Sequence, residues 1–198
     1  MKIDFNNYNV EFYFSFRNPY SYLAWTMLKK LMQDKKDALK PIEISAVNLD
    51  PKASYRPFWS DLRWKNRIAM HAKEAGIIIN PVKELFGCSN AVGALKQENV
   101  DLLEKFITCV FKAEFEKQIN VSDFDKMHSF LVSEGFTQEE ASKLLSTPIN
   151  NDEYVKEAND IWQKEHIRML PTLKIKNDIF VGYCSLNNYL RLVSPLID

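Results

Sequence analysis

The chain has 198 residues, enough for one domain or for a small domain that carries an insertion. Hydrophobic residues make up 46% of it, and its 26 basic residues balance 26 acidic ones, so a folded core is expected and bulk electrostatic binding of nucleic acid or of an anionic membrane is not. The first residues lack the apolar stretch of a secretory signal, and no apolar run has the length of a membrane span. The sequence therefore predicts a cytoplasmic protein without nucleic-acid or membrane partners.

The first predicted elements are a strand and a helix that meet at Asn18. The segment EFYFSFRNPYSYLAW (residues 11–25) begins with the aromatic content of a buried strand. Asn18 is then a good N-cap, Pro19 is a good first helical residue, and the apolar residues that follow recur at helical spacing. We therefore predict a helix over Pro19–Asp34 whose positive dipole end lies at the end of the strand. Alternating apolar residues in 41–49 predict a second strand.

The middle of the chain is predicted to be helical with short breaks. From residue 54 to about residue 160, segments with apolar residues at helical spacing begin with capping residues or end at glycines. One predicted helix covers residues 100–115. Thr137 with Glu140 forms a capping box at the start of another, and Asn150 with Glu153 predicts the same at the start of a third.

The end of the chain returns to strands. Strands over 172–175 and 179–181, separated by a polar turn, predict a hairpin that is followed by a short closing helix. A helical block of this length between strands at both ends of the chain is best explained as an insertion. We predict an α/β protein in which residues 1–50 and 168–198 form one domain and residues 51–167 form an inserted helical subdomain.

The cysteines and histidines are scattered along the chain. They form neither a CxxC pair nor a spacing typical of zinc ligands, so a metal site is not expected. Cys109 stands among apolar residues at helical spacing, which favours a buried core thiol over a nucleophile. Cys88 follows a glycine in a predicted loop, where it could be exposed.

Two motifs at opposite ends of the chain resemble those of a known family. They are FYFSFRNPYSYLAW near the start and MLPTLKIKNDIFVGYCSLNNYL near the end. Together with the element order, they resemble the DsbA-like branch of the thioredoxin fold, and within it the 2-hydroxychromene-2-carboxylate isomerases and the kappa-class glutathione S-transferases. The resemblance implies a thioredoxin-like domain with an inserted all-helical subdomain. It also implies a cis peptide bond at Leu170-Pro171, the alternative being a trans proline at the start of an edge strand.

The resemblance implies a glutathione site, whose residues carry over one by one. Before Pro19 the family has a serine whose hydroxyl donates a hydrogen bond to the glutathione thiolate beside the helix N-terminus. This chain has Asn18 there, and its amide either donates in the same way or serves only as the N-cap. The main chain of Leu170, exposed by a cis Pro171, would pair with the cysteine part of glutathione. Arg17 would meet an anionic substrate or be a solvated charge.

Two departures from the family's motifs affect the predicted glutathione site. Cys184 stands where the family has the aspartate that receives the γ-glutamyl ammonium group, and Ser185 stands in the place of its arginine. Losing a charge-assisted hydrogen bond costs about 1.5–3 kcal/mol, which would weaken glutathione binding about tenfold to a hundredfold. The family's middle motif is only partly present in LFGCSN (residues 85–90).

Three hypotheses of function follow. The first is a glutathione-dependent isomerase or transferase that acts on a small aromatic or hydrophobic electrophile through a thiolate formed at the helix N-terminus. Its helical block would close over the site and supply an apolar pocket that includes Trp59, Trp64 and Phe86. The second is a non-catalytic thioredoxin-like module that binds a small molecule or a protein partner. The third is a thiol enzyme that uses Cys184 or Cys88.

The resemblance also excludes one activity and suggests an assembly. In the disulfide oxidoreductases of this branch, a CxxC motif fills the four positions held here by Asn18, Pro19, Tyr20 and Ser21. Because both sulfurs are missing, dithiol–disulfide exchange at this site is excluded. Dimers are common in the family, and a homodimer is expected on that ground alone.

Overall fold

The structure of the protein, a computed structural model, describes residues 3–5, 8–34, 45–48, 62–80, 100–146, 151–175 and 178–193. Within these residues the chain forms, in order, β1 (Ile3–Phe5), β2 (Tyr8–Phe14), α1 (Pro19–Asp34), β3 (Ser45–Asn48), α2 (Leu62–Ala75), α3 (Val100–Phe111), a π-helical turn (Lys112–Lys117), α4 (Phe124–Ser133), α5 (Gln138–Ser146), α6 (Asn151–Lys164), β4 (Thr172–Ile175), β5 (Asp178–Val181) and α7 (Leu186–Val193). The predicted order of strand, helix, strand, helical block, two strands and helix is confirmed.

Strand β2 lies at the centre of the sheet. Phe12 is opposite Ala46 of β3, which runs parallel to β2, and opposite Leu173 of β4, which runs antiparallel on the other side. Strand β5 pairs antiparallel with β4, and β1 pairs antiparallel with the first half of β2. Strand β1 is not predictable from the sequence, because three residues are too few to show an alternating pattern.

The two faces of β2 contribute to different apolar clusters, as the alternation of side chains along a strand requires. On one face the rings of Phe12 and Phe14 stack at 5.5 Å, and Phe12 also stacks on Trp25 of α1 at 5.9 Å. On the other face Tyr13 packs in a smaller cluster that includes Ile167 and Leu170. The strand is therefore buried on both sides, which explains its nearly continuous aromatic run.

The helical insertion packs directly onto the core of the sheet. The ring centroid of Phe111, at the end of α3, lies 5.7 Å from that of Phe14, 5.3 Å from that of Phe16 and 5.2 Å from that of Tyr22 in α1. The hydrophobic core is thus continuous across the predicted boundary between the two units. The residue numbers of that boundary remain a prediction.

The predicted helix over residues 100–115 is wrong in its last turn. The α-helix ends at Phe111, and the chain continues as a wider π-helical turn to Lys117. Asn80 holds this turn, since its backbone N–H donates to the Phe115 carbonyl at 2.8 Å and its side-chain amide donates to the Glu116 carbonyl at 2.7 Å. Apolar spacing cannot reveal one extra residue in a turn, because the partner that stabilises the turn is distant in sequence.

Two predicted helix-end signals are confirmed. At the start of α5 the Thr137 N–H donates to Glu140 Oε2 at 2.8 Å and the Glu140 N–H donates to Thr137 Oγ1 at 3.1 Å, which is a capping box. Helix α2 ends at Ala75, and Gly76 follows with φ of 70°, a left-handed conformation that glycine adopts without strain. A capping pair expected at Asn150 lies outside the described residues.

A small charged network joins the sheet to the segment after α6. Lys174 on β4 forms an ion pair with Glu165, and its Nζ lies 3.5 Å from Glu11 Oε2 on β2. The hydrogen bond from Lys174 holds the pKa of Glu165 below its usual value of 4.5. The hydrogen bond to Glu165 likewise raises the pKa of Lys174 above its usual value of 10.5.

Replacing Lys174 with methionine is expected to lower the free energy of unfolding at neutral pH by about 1 kcal/mol or less. Because the folded pKa of Glu165 is depressed, the pair contributes fully above the ordinary glutamate pKa and loses its contribution as pH falls through the folded pKa. The stability difference between wild type and variant should therefore shrink in acid, as measured by urea denaturation at several pH values. A pH-independent difference, or an equal loss on replacing the exposed Lys117, would contradict this expectation.

Candidate active site

The turn between β2 and α1 is fixed by two buried serines. The backbone N–H of Ser15 donates to Ser21 Oγ at 3.2 Å, and Ser15 Oγ accepts the Arg17 N–H at 3.1 Å. Both serines are fully buried. The start of α1 is therefore held rigidly against the end of the strand, as a site built on a helix N-terminus requires.

Asn18 is the N-cap of α1, as the sequence predicts. Its Oδ1 accepts the Tyr20 N–H at 2.9 Å, and its carbonyl accepts the Ser21 N–H at 2.9 Å. The helix begins at Pro19, which has no N–H to satisfy. The capping interpretation of Asn18 is therefore confirmed, although it describes only one end of the amide.

The other end of the Asn18 amide reaches across the fold. Its Nδ2 donates to the carbonyl oxygen of Leu170 at 2.9 Å. The Leu170-Pro171 peptide bond is cis, as expected, and the Pro171 carbonyl accepts the Gly182 N–H at 2.7 Å. One corner of the molecule thus joins the start of α1, the cis-proline segment and the turn after β5. We call it the Asn18 corner.

The turn after β5 carries Cys184 at the position where the resemblance expects an aspartate. Gly182 opens this turn with φ of 87°, a left-handed conformation that favours glycine. Cys184 is half-buried and hydrogen-bonded to the Tyr189 side chain, and burial raises the pKa of its thiol. The thiol is therefore neutral near pH 7, which disfavours Cys184 as a nucleophile and leaves no charge to pair with an ammonium group.

Arg17, expected near an anionic substrate, is half-buried beside the corner. Its backbone N–H is held by Ser15. The proposed pocket residues Trp59 and Phe86 lie outside the described residues, as does the side chain of Trp64. Their part in a site remains a prediction.

Three residues that no sequence pattern connects lie together beside the Asn18 corner. The His71 ring of α2 has its centroid 4.8 Å from that of Tyr183 and 6.4 Å from that of Tyr20, and the two tyrosine rings are 6.4 Å apart. Tyr20 follows Asn18 by two residues, and Tyr183 directly follows Gly182. The sequence signal for this cluster was His71 followed by Glu74 three residues later on a predicted helix. Nothing in the sequence indicated that this helix lies beside the Asn18 corner.

The structure also bears on the other two cysteines, on metal binding and on membrane-spanning helices. Cys109 is 3% exposed, and burial raises the pKa of its thiol to about 11, which confirms the core thiol. Cys88 lies outside the described residues. Within the described ranges no group of three His, Cys, Asp or Glu side chains could hold a metal ion. No helix in the same ranges is both long and apolar enough to cross a membrane.

This fold and corner define a thioredoxin-like protein with a helical insertion. The chain belongs to the DSBA-like thioredoxin domain family, whose sequence model matches residues 9–193. A search of functionally curated proteins found no match.

Several solved structures have the same fold at low sequence identity. A 2-hydroxychromene-2-carboxylate isomerase aligns over 94% of this chain and 93% of its own, with 19% identity and a TM-score of 0.69. The cytosolic disulfide reductase DsbM from Pseudomonas aeruginosa, solved with GSH, aligns over 95% of each chain with 10% identity and a TM-score of 0.59. A reduced DsbA1 from Neisseria meningitidis aligns over 96% of this chain and 82% of its own, with 12% identity and a TM-score of 0.56. At these identities the likeness establishes the fold.

Proposed function

We propose that the protein is a glutathione-dependent isomerase or transferase that acts on a small aromatic or hydrophobic electrophile. The observation that carries the proposal is the Asn18 corner, where the N-terminus of α1 faces a cis-proline segment across a 2.9 Å hydrogen bond. A helix N-terminus presents N–H groups and a positive dipole end, both of which favour a bound thiolate. The two ends of the sequence that resemble the isomerase and transferase family form this corner.

The residues of the corner fit a thiol tripeptide. The Asn18 amino group has two N–H bonds, and Leu170 is its only acceptor among the residues described, so the second N–H can donate to a sulfur. The Leu170 carbonyl has a second lone pair for a backbone N–H of the ligand. When bound, glutathione would supply a nucleophilic thiolate for addition to the electrophile. DsbM, a protein of the same fold, is one whose structure was solved with GSH.

No cysteine stands at positions 18–21, where the family's disulfide oxidoreductases carry their CxxC motif. The proposal therefore places the reactive thiol on the ligand. Half-buried Cys184, whose pKa is raised by burial, does not replace it.

A second candidate function, a non-catalytic binding module, has its own supporting observation. Asn18 is 2% exposed, and both ends of its amide are bonded within the protein. A sulfur could reach its second N–H only after the side chains that cover it move. An Asn18 corner with a purely structural role would show the same burial and the same internal hydrogen bonds.

Calorimetric titration with reduced glutathione distinguishes the two candidates. A glutathione enzyme should bind with a dissociation constant of about 1 mM or tighter, and replacing Asn18 with alanine should weaken that binding. No binding at about ten times that concentration would contradict the enzyme and favour the module. Conversion of 2-hydroxychromene-2-carboxylate in the presence of glutathione would then test the isomerase activity itself.

Replacing Cys184 with aspartate is expected to tighten glutathione binding about tenfold to a hundredfold. The carboxylate would pair with the γ-glutamyl ammonium group, and a charge-assisted hydrogen bond is worth about 1.5–3 kcal/mol. The matched control is the replacement of Cys184 with asparagine, which has the same shape without the charge. Equal affinities of the aspartate and asparagine variants, measured by calorimetry, would show that no ammonium group binds beside residue 184.

A further inference from the structure

Tyr20, His71 and Tyr183 form a cluster of rings on the rim of the Asn18 corner. Tyr20 is held at the start of α1, because its backbone N–H donates to Asn18 Oδ1. Tyr183 is held in the turn after β5, because the backbone N–H of the preceding Gly182 donates a hydrogen bond to the Pro171 carbonyl. The His71 imidazole completes a triangle with the two rings, its centroid 4.8 Å from that of Tyr183 and 6.4 Å from that of Tyr20.

One nitrogen of the His71 ring is oriented by a carboxylate. Nδ1 lies 3.2 Å from Glu74 Oε2, on the same helix. A carboxylate oxygen accepts this hydrogen bond when Nδ1 carries the proton, and in that tautomer Nε2 has a lone pair that can accept another. Among the described residues, Nε2 has no hydrogen-bond partner. A base held by a third group, with its second nitrogen open, is the arrangement that proton-transfer sites use.

The hydroxyl of Tyr183 independently points to a ligand. Its oxygen is buried, and no described residue is its hydrogen-bond partner. A buried hydroxyl without a partner is unusual in a folded protein, since most such groups are satisfied by protein, water or ligand. Its ring packs on His71 at 4.8 Å, so a polar group that bonds this hydroxyl would also lie near the imidazole.

We propose that His71 is the catalytic base of this site, and that its Nε2 accepts the proton of a thiol bound at the Asn18 corner while Glu74 orients the ring. The inference rests on the proposed function, because it takes the ligand to be glutathione. Tyr183 donates its hydroxyl to the same ligand and is a binding residue.

The proton transfer balances within the complex. The S–H bond breaks and an Nε2–H bond forms, while the electron pair stays on the sulfur beside the α1 N-terminus. The resulting imidazolium pairs with the Glu74 carboxylate. When the thiol is released at the end of an isomerisation, His71 returns the proton to sulfur, so no other reactant is consumed.

The charged and titratable groups around the imidazole come from three elements. Helix α2 itself supplies Glu74 and Arg67, the latter acting on Tyr20 of α1. The turn after β5 supplies Tyr183, whose pKa is raised to about 12 by burial and by the charge of Glu74, and Cys184, whose pKa is also raised by burial. Because the pKa values of Tyr20, Tyr183 and Cys184 are all raised, these three neighbours are neutral near pH 7.

The test measures the ionisation of bound glutathione without any electrophile. Thiolate formation is followed by ultraviolet absorbance over a pH series, and the protonation of His71 is followed by nitrogen NMR. In the wild type, adding glutathione at neutral pH should protonate His71, whereas S-methylglutathione, which has no thiol proton, should not. In His71→Gln the apparent pKa of the bound thiol should rise by about one unit or more, a tenfold loss of thiolate.

Controls separate this role from a structural one. Binding of S-methylglutathione should be the same in the wild type and in His71→Gln. His128→Gln, at the half-buried histidine of α4, should leave the thiol titration unchanged. Glu74→Gln keeps the imidazole and should raise the thiol pKa part of the way. If the His71→Gln variant does not fold, the Glu74→Gln variant still tests the proposal.

The outcomes distinguish this inference from the proposed function. Glutathione that binds and ionises equally well in the wild type and in the His71 and Glu74 variants would overturn the role of His71 and leave the proposed function standing. A wild type that binds neither glutathione nor its S-methyl analogue would overturn the proposed function, and the role of His71 with it.

Discussion

Replacing Phe111 with alanine is expected to lower the free energy of unfolding by about 3–5 kcal/mol. The side chain is fully buried, and its ring contacts Phe14 at the end of the central strand, Phe16 in the turn that follows and Tyr22 in α1. Alanine would leave a cavity at the junction between the sheet and the helical insertion. Because the core is continuous there, the loss should destabilise both units together.

Urea denaturation followed by tryptophan fluorescence and by circular dichroism measures this effect. Both signals should shift to a lower midpoint and remain coincident, as expected for one cooperative unit. The matched control is Phe124→Ala, because Phe124 is a phenylalanine that is 42% exposed, and it should change stability by only about 0.5 kcal/mol. Separate transitions in the Phe111 variant, or equal losses in the two variants, would show that the insertion has a core of its own.

Replacing Asn18 with alanine is expected to lower the free energy of unfolding by about 2–4 kcal/mol. Loss of an N-cap costs about 1 kcal/mol. Loss of the bond to Leu170 leaves a carbonyl of the cis-proline segment without its donor inside the protein, which costs about 1–3 kcal/mol more. Thermal and urea unfolding measure the sum.

A second substitution separates these two contributions. Asn18→Asp keeps an oxygen that can accept the Tyr20 N–H, but it has no amino group to donate to Leu170. Its stability relative to the wild type reports the bond to Leu170 together with the cost of burying a carboxylate beside that carbonyl. A cap that outweighs this cost would leave Asn18→Asp more stable than Asn18→Ala. If both variants lost only a few tenths of a kcal/mol, Asn18 would not be holding the corner together.

The local parts of the site were predictable from the sequence. An aromatic strand followed by Asn18 and Pro19 specifies a strand end and a helix start within a few residues, and the capping hydrogen bond is made by an N–H only two positions away. The cis peptide bond at Leu170-Pro171 was predicted from the resemblance of the motif near the end of the chain to that of a known family. The buried thiol of Cys109 followed from helical spacing.

The sequence left open whether the Asn18 amide donates to a ligand thiolate or serves only as the N-cap. The structure shows the cap, and donation to a thiolate stays a prediction. The amide has an acceptor and a donor on different atoms, so Oδ1 caps the helix while Nδ2 bonds Leu170. The second bond spans 152 residues. No local pattern could predict it, because it depends on how the strands pair.

The cluster around His71 was missed for a similar reason. Its three rings come from α1, from α2 and from the turn after β5, and none is at a diagnostic spacing from another. The three histidines are scattered along the chain. Only the packing of α2 against α1 brings His71 to the corner.

The π-helical turn has a consequence that concerns chain length. It takes one residue more per turn than an α-helix, which corresponds to about 100° of helical rotation. That extra residue lets Phe115 stack on Tyr22 at 6.1 Å while the Glu116 carbonyl still meets Asn80 at 2.7 Å. Deleting one residue within Lys112–Lys117 could be absorbed by a return to regular α-helix, with the following chain still in phase. The same deletion within Val100–Phe111 would turn part of that helix's apolar face away from the sheet, so relatives with shorter chains should have lost their residue at the turn.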